Sequence, residues 1–261
     1  IVVDDNSSDN TVNIVQNRLN LDSKLRLLSS PGKGKVAAFN YGVSNAEGSF
    51  VCLFAGDDIM PANSLSLRYK KLTKFSKDQA VAGLSKIKIM SDNKRKDGLI
   101  VPRRKGQGSL SGQSPLMSRK TIKLLFPVPE KLPNEDTWLE IAFGHTKMIQ
   151  IVHSDIICCN WRMHQGNSIN MLVPYQQYKE KLVLRRAAYD LFLNEFRNKL
   201  SKIEENNLIE MIKAIRCYKN EDVFGLFMTK SNLMWKIRIL STINPLFYKI
   251  RTVFYNILTG Y

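Results

Sequence analysis

The sequence predicts an α/β fold: a mostly parallel sheet flanked by helices, followed by a region built from helices alone. Three observations carry this. Short apolar runs rich in β-branched and aromatic residues alternate with stretches of helical periodicity through the first half. Two of those runs, "IVVDD" and "SFVCLFAGDD", end on paired aspartates. Beyond Pro174 only helical patterns remain.

In chain order, "IVV" reads as a buried strand. "SDNTVNIVQNRLN" then places Val12, Val15 and Leu19 at helical spacing behind Ser8 or Asp9 as a cap. "KLRLLSS" alternates more weakly and predicts a second strand. "KVAAFNYGVSNAEG" predicts a helix stopped at Gly48, "SFVCLFA" a strand, and "ANSLSLRYKKLTKF" another helix. From Ser91 to Gln113 the chain is polar, basic and glycine-rich, which predicts a long loop with a short strand at "GLIV". Loops of that length inside a domain tend to be functional. Helices follow at "SRKTIKLL" and "NEDTWLEIAFGH", then a strand at "MIQIVHSDIICC". Three further helices are predicted over roughly 174–200, 204–219 and 231–258. The change of pattern places a boundary near Leu172, dividing the chain into units 1–172 and 173–261.

The 261 residues suit one large domain or an α/β domain with a helical appendage. Lys and Arg number 39 against 23 Asp and Glu, a net +16 that favours acidic partners: nucleic acid, an anionic membrane surface or phosphorylated substrates. Cys52, Cys158, Cys159 and Cys217 show neither CxxC spacing nor a histidine cluster, which argues against a zinc site and for a reducing compartment. No apolar run reaches the roughly 18 residues that span a bilayer.

In "SFVCLFAGDDIMP" a strand delivers Asp57 and Asp58 at its carboxyl end, where open α/β sheets bind ligands. Adjacent carboxylates repel unless a cation or hydrogen-bond donors lie between them, and hard oxygen ligands suit Mg²⁺ or Mn²⁺ shared with substrate phosphates. A solvated turn with capping aspartates fits the same letters. "IVVDD" repeats the shape with Asp4 and Asp5. In "PGKGKVAAFNYG", Gly32, Lys33, Gly34 and Lys35 precede a helix, which suits phosphate but also a plain flexible turn. It is neither a Walker loop nor a dinucleotide fingerprint.

Together, "IVVDDNSSDNT", "GKGKVAAFNYGVSNAEGSFVCLFAGDD", "LPNEDTWL" and "WRMH" resemble the family 2 glycosyltransferases, which have the GT-A fold; the order and spacing cover residues 1–170. The resemblance implies that Asp4 contacts the nucleotide base, with Asp5 structuring its loop and Lys35 near the nucleotide. Asp57 then faces the ribose, and Asp58 holds the divalent metal, Mg²⁺ or Mn²⁺, that bridges the diphosphate. Asp136 in "NEDTW" matches the general base, Glu135 its acidic neighbour, and Arg162 and His164 a late motif over the diphosphate. The expected activity is inverting, metal-dependent sugar transfer from a nucleotide-diphospho-sugar, a UDP-sugar first, to a glycan or lipid-linked acceptor in surface polysaccharide synthesis. Two departures count: there is no QxxRW motif, which argues against processive synthesis, and Phe39 stands where relatives often carry arginine.

The tail contains Lys230, Lys236, Arg238, Lys249 and Arg251, no acidic residue, and the aromatics Trp235, Phe247, Tyr248, Phe254 and Tyr255. It fits a helix lying on a membrane, hence a cytoplasmic protein at the inner face of the plasma membrane, or a helix packed on the catalytic unit. Pro245 should kink or divide it. Two rival readings are a basic nucleic-acid-binding protein and a non-catalytic sugar-nucleotide-binding protein. The first lacks a recognisable nucleic-acid motif and leaves the paired carboxylates unexplained, so no nucleic-acid partner is expected. Both Asp58 and Asp136 being present speaks against the second. In the family a strand and helix precede the segment matching "IVVDD", which predicts an apolar strand edge beside Ile1 and weak or no activity for this chain alone.

Overall fold

The computed structural model describes residues 1–75, 78–164 and 173–259, with side chains through Val253. The boundary near Leu172 and the side chains of Phe254 and Tyr255 lie outside the described residues.

Strands β1 (Val2–Asp4) and β2 (Leu27–Ser29) pair in parallel around helix α1 (Thr11–Leu19). α1 begins behind Asn10 rather than Ser8 or Asp9, and Asp9 instead accepts the Thr11 N–H at 3.0 Å. Helix α2 (Lys35–Ser44) ends at Asn45, four residues after Tyr41, because the Asn45 amide donates to the Tyr41 carbonyl; Gly48 plays no part in the stop. β3 (Phe50–Val51) leads into the Asp57–Asp58 turn, and α3 (Ser64–Leu72) follows.

The centre of the larger sheet is β4 (Val81–Met90), a strand that the apolar pattern did not announce. β7 (Gln150–Arg162) runs parallel to it along its whole length. The other edge of β4 is divided between β6 (Leu116–Ser118) and β5 (Ile100–Val101), the short strand expected at "GLIV". β3 pairs with β6, and these antiparallel contacts are brief beside the β4–β7 ladder. Both faces of β4 are covered: Val81 joins Leu72 of α3, while Ala82 and Leu84 join the cluster of α4 (Arg119–Leu125) and α5 (Asp136–Gly144). Among the described residues β1 pairs only with β2; across from it run residues 51–56, and a cavity of about 540 Å³ lies between.

α6 (Tyr175–Phe196), α7 (Lys202–Lys219), α8 (Val223–Met228), α9 (Leu233–Leu240) and α10 (Pro245–Thr259) complete the chain. Their starts are locally written: Ser201 and Glu204 form a capping box, Asp222 and Asn232 accept first-turn N–H groups, and Pro245 opens α10. Pro245 therefore divides the tail, as expected. One hydrophobic core runs from Val36 and Leu84 through Trp138 to Phe192, Ile215 and Ile243, so these helices pack directly on the sheet unit. Trp235 and Tyr248 are buried in that packing, whereas the exposed apolar side chains include Phe224, Phe227, Met228, Leu233, Met234 and Ile237. Among the described residues no helix is long and apolar enough to cross a membrane.

Candidate functional site

The end of β1, in its own two-stranded sheet with β2, comes together with the end of β7, the turn after β3 and the start of α5, and a continuous line of contacts joins them. Asp5 accepts the Gly34 N–H at 2.9 Å, which ties the first aspartate pair to the glycine–lysine loop. Gly34 caps α2 with φ of 94°, a conformation that other residues adopt at a cost. The next residue, Lys35, places Nζ 2.9 Å from Glu135 Oε1 and over the ring of Phe39, the residue that replaces the family's arginine. Glu135 is 1% exposed and stands beside Asp136, the first residue of α5.

Gly112 and Gln113 close the line. The Gly112 N–H donates to Asp136 Oδ1 at 2.8 Å, and the Gln113 amide donates to Asp58 Oδ2. Gln113 is itself oriented by Cys159, whose thiol donates to Oε1 at 2.9 Å. Burial and the neighbouring Asp58 push that thiol far up, so it stays protonated. Asp58 Oδ1 accepts the Arg162 N–H at 2.7 Å, the Arg162 Nε donates to the Asp57 carbonyl at 3.0 Å, and His164 Nε2 lies 3.1 Å from Asp57 Oδ2. A two-way bridge between Ile59 and Asn160 holds the aspartate turn against the end of β7.

Eight of the nine sequence-derived site residues thus form one connected array: Asp5, Lys35, Asp57, Asp58, Glu135, Asp136, Arg162 and His164. Asp4 lies next to Asp5, but its carboxylate accepts the Ser7 N–H at 3.3 and 3.2 Å and folds its own turn. Sequence reading missed Gly112, Gln113, Asn134 and Arg185. The long-loop signal covered the first two, and "NED" opens on Asn134 itself, to which the reading gave no role. Nothing local marks Arg185, which comes from α6 and sets Nη2 3.6 Å from Asp136 Oδ2.

Two carboxyl groups are displaced upward. Burial pushes Asp58 up and the Asp57 charge adds to it, against the hydrogen bonds from Arg162 and Gln113. Burial pushes Glu135 up more than Lys35 restores, with Asp136 contributing repulsion. The Lys35 ammonium is held above its ordinary value despite burial, because Asp136 and Glu135 face it. A carboxyl raised in the folded state stabilises the fold below its unfolded value and loses that contribution as pH rises through the folded one. Glu135→Gln removes this loss. The stability advantage of the parent over the variant is expected at acid pH, shrinking above the ordinary carboxylate range; thermal midpoints across pH check it.

Asp58 could hold a divalent metal. Each of its oxygens accepts one hydrogen bond, from Gln113 and from Arg162, and keeps a lone pair. Among the described residues no three His, Cys, Asp or Glu side chains converge on a metal. Mg²⁺ and Mn²⁺ need only one or two carboxylates where phosphate oxygens complete the shell.

A sheet covered on both faces, with carboxylates and cations gathered along its carboxyl edge, defines an α/β protein of the GT-A type. In fold the chain is similar to S. aureus TarS 1–349, with a TM-score of 0.51 at 18% identity over 93% of this chain and 69% of that one. Residues 1–129 match the family model described as "Glycosyl transferase family 2". The matched residues, 1–129, belong to the family 2 glycosyltransferases. It is 32% identical over 82 residues to "Glycosyltransferase GlyG" of Streptococcus pneumoniae serotype 4, covering 31% of this chain and 27% of that protein. It is 28% identical over 137 residues to an "Uncharacterized glycosyltransferase" of Haemophilus influenzae, covering 49% of this chain and 53% of that protein. The chain thus spans about half or less of the length of these relatives.

Proposed function

We propose that the chain carries an inverting glycosyl transfer from a nucleotide-diphospho-sugar, a UDP-sugar first, to a glycan or lipid-linked acceptor of a surface polysaccharide. One observation carries the reading: consecutive residues Gly112 and Gln113 hold Asp136 and Asp58 in fixed relation. Such a tether suits a base for the acceptor and a carboxylate for the diphosphate end, which have to be held apart. Asp136 is partly exposed and takes the proton of the acceptor hydroxyl as that oxygen bonds to the anomeric carbon. The bond to the diphosphate breaks on the opposite face, so a single displacement inverts the centre. Asp4 and Asp5 face the nucleoside, Asp57 the ribose, and Lys35, Arg162 and His164 lie where the departing charge collects. Asp58 would hold Mg²⁺ or Mn²⁺, which supplies charge neutralisation to the leaving diphosphate.

Calorimetry of UDP with Mn²⁺, beside UDP release from a UDP-sugar panel, tests this. Binding weakened at least tenfold by Asp58→Asn is the expected outcome; UDP binding that ignores both Mn²⁺ and the substitution sinks the donor assignment.

We further place residues 1–172 as the transferase unit and 173–261 as a helical unit resting on the inner membrane face of a cytoplasmic protein. From Val223 onward there is no acidic residue, and Phe224, Phe227, Met228, Leu233, Met234 and Ile237 are exposed beside Lys230 and Lys236. Burying such side chains contributes about 1.5–3 kcal/mol each at full burial, and basic residues near an anionic surface about 1 kcal/mol each. Vesicles containing phosphatidylglycerol should therefore sediment the protein, and phosphatidylcholine alone should do so far less. Joint substitution of Leu233, Met234 and Ile237 by Ser is expected to weaken sedimentation at least tenfold; no change would leave the tail with a packing role only.

A further inference from the structure

The helical region does more than pack on the sheet unit. α6 is registered on α5 by an aromatic stripe: Trp138 packs edge-to-face with Phe192 at 5.0 Å and at a tilt against Phe196 at 5.7 Å between centroids. Arg185, Tyr189, Phe192 and Phe196 recur at helical spacing, so the stripe that fixes the two helices ends in a guanidinium at the start of α5. The Arg185 side chain is 15% exposed. With the Asn134 amide turned so that its oxygen faces Arg185, that oxygen accepts from Nη1 at 2.9 Å and from Nη2 at 3.0 Å, in place of the 3.3 Å hydrogen bond that Asn134 Nδ2 gives Asp136 Oδ2 in the opposite orientation. Nη2 also flanks Asp136 Oδ2 at 3.6 Å, beyond a hydrogen bond, while Oδ1 is held by Gly112. Lys35 pairs with Glu135 at 2.9 Å with Asp136 also facing it, while Arg185 flanks Asp136 from the other helix.

We propose that Arg185 is a positioning residue for sugar transfer: it clamps Asn134 and flanks Asp136, leaving Oδ2 oriented but free to take the acceptor proton. This rests on the reading of Asp136 as base. It also makes the helical region part of the active site, since α6 lies outside the residues that match the family model. A planar fork that grips one oxygen with two nitrogens is a task lysine performs poorly.

The test uses the full chain as parent, Arg185→Gln, Arg185→Lys, Asp136→Asn and the double variant Asp136→Asn with Arg185→Gln. Three readouts are taken: UDP release from UDP-sugars with Mn²⁺, UDP binding by calorimetry, and the thermal midpoint. Arg185→Gln should lower the saturated rate about 10- to 100-fold, within the usual reach of acid–base catalysis, with KM and UDP affinity changed less than threefold. Arg185→Lys should recover only part of the rate. In the double variant the Arg185 substitution should add nothing to the loss from Asp136→Asn. A tenfold loss of UDP affinity at unchanged saturated rate would overturn the proposal in favour of a phosphate contact. Losses that multiply in the double variant would also overturn it, as would a rate loss explained by a lowered midpoint in both Arg185 variants. If Asp136→Asn were as fast as the parent, the base assignment itself would fall, whatever Arg185 does.

Discussion

Asp136→Asn is expected to reduce sugar transfer by about 10²- to 10⁴-fold, the range that a general base supplies, with UDP affinity nearly unchanged. The substitution keeps the volume of the side chain and still places an oxygen near the Gly112 N–H, which in the parent lies 2.8 Å from Asp136 Oδ1. What it removes is the ability to accept a proton from an attacking hydroxyl. The neighbouring carboxylate cannot substitute, because Glu135 is 1% exposed and faces Lys35 rather than the open side. Saturated rates measured with a UDP-sugar, together with calorimetry on the same samples, separate loss of chemistry from loss of binding. A variant that turns over as fast as the parent would return the assignment to Glu135 or to another group.

The second large effect is expected at a residue with no side chain. An atom added as Cβ at Gly112 would lie 2.6 Å from Glu135 Oε1 and closer still to Asp136 Oδ1. Both contacts are far inside van der Waals distance, so Gly112→Ala must turn the Asp136 and Glu135 carboxylates aside or displace the 112–113 loop. Either movement disturbs the hydrogen bond to Asp136, and displacement of the loop also pulls Gln113 from Asp58. Overpacking of this kind costs about 1–3 kcal/mol of stability, and we expect sugar transfer to fall at least 100-fold, since displacements near 1 Å cost rates of that order. Gly56→Ala is the control: a Cβ there meets nothing within 4 Å, and the thermal midpoint should not move. If Gly112→Ala retains the parent's rate and midpoint, the loop does not hold the two carboxylates in place.

The candidate site was legible wherever its chemistry sits at the end of a recognisable element. Asp4 and Asp5 follow an apolar run, Asp57 and Asp58 follow another, and Glu135 and Asp136 open a helix; strand ends and helix starts are local patterns. The central strand β4 was not legible, and the reason is physical. Its Lys86 is 6% exposed, a position that apolar patterning excludes, yet its ammonium donates to the carbonyls of Pro102 and Arg104 at 2.8 Å and pairs with Asp155 at 3.2 Å. A buried lysine satisfied by distant groups reads as a surface residue in sequence. α8 was missed for a related reason: "VFGLFM" is six residues long, and it is fixed by Asp222 at its start and by packing on α7 and α9.

The sequence by itself determined which residues are acidic and basic, which residues end the first strands, roughly where α6, α7 and α9 begin, and that Pro245 breaks the tail, because hydrophobic period and proline act within a few neighbours. It also determined that the tail is basic and without carboxylates. Only the tertiary structure decided the partners: that Gly112 and Gln113 span the two carboxylate pairs, that Cys159 aims Gln113, and that Arg185 arrives from a helix about fifty residues beyond Asp136. It also decided that the aromatics Trp235 and Tyr248 face inward while Leu233, Met234 and Ile237 face out. Such contacts depend on how two helices register over a shared core, and no local period records that register.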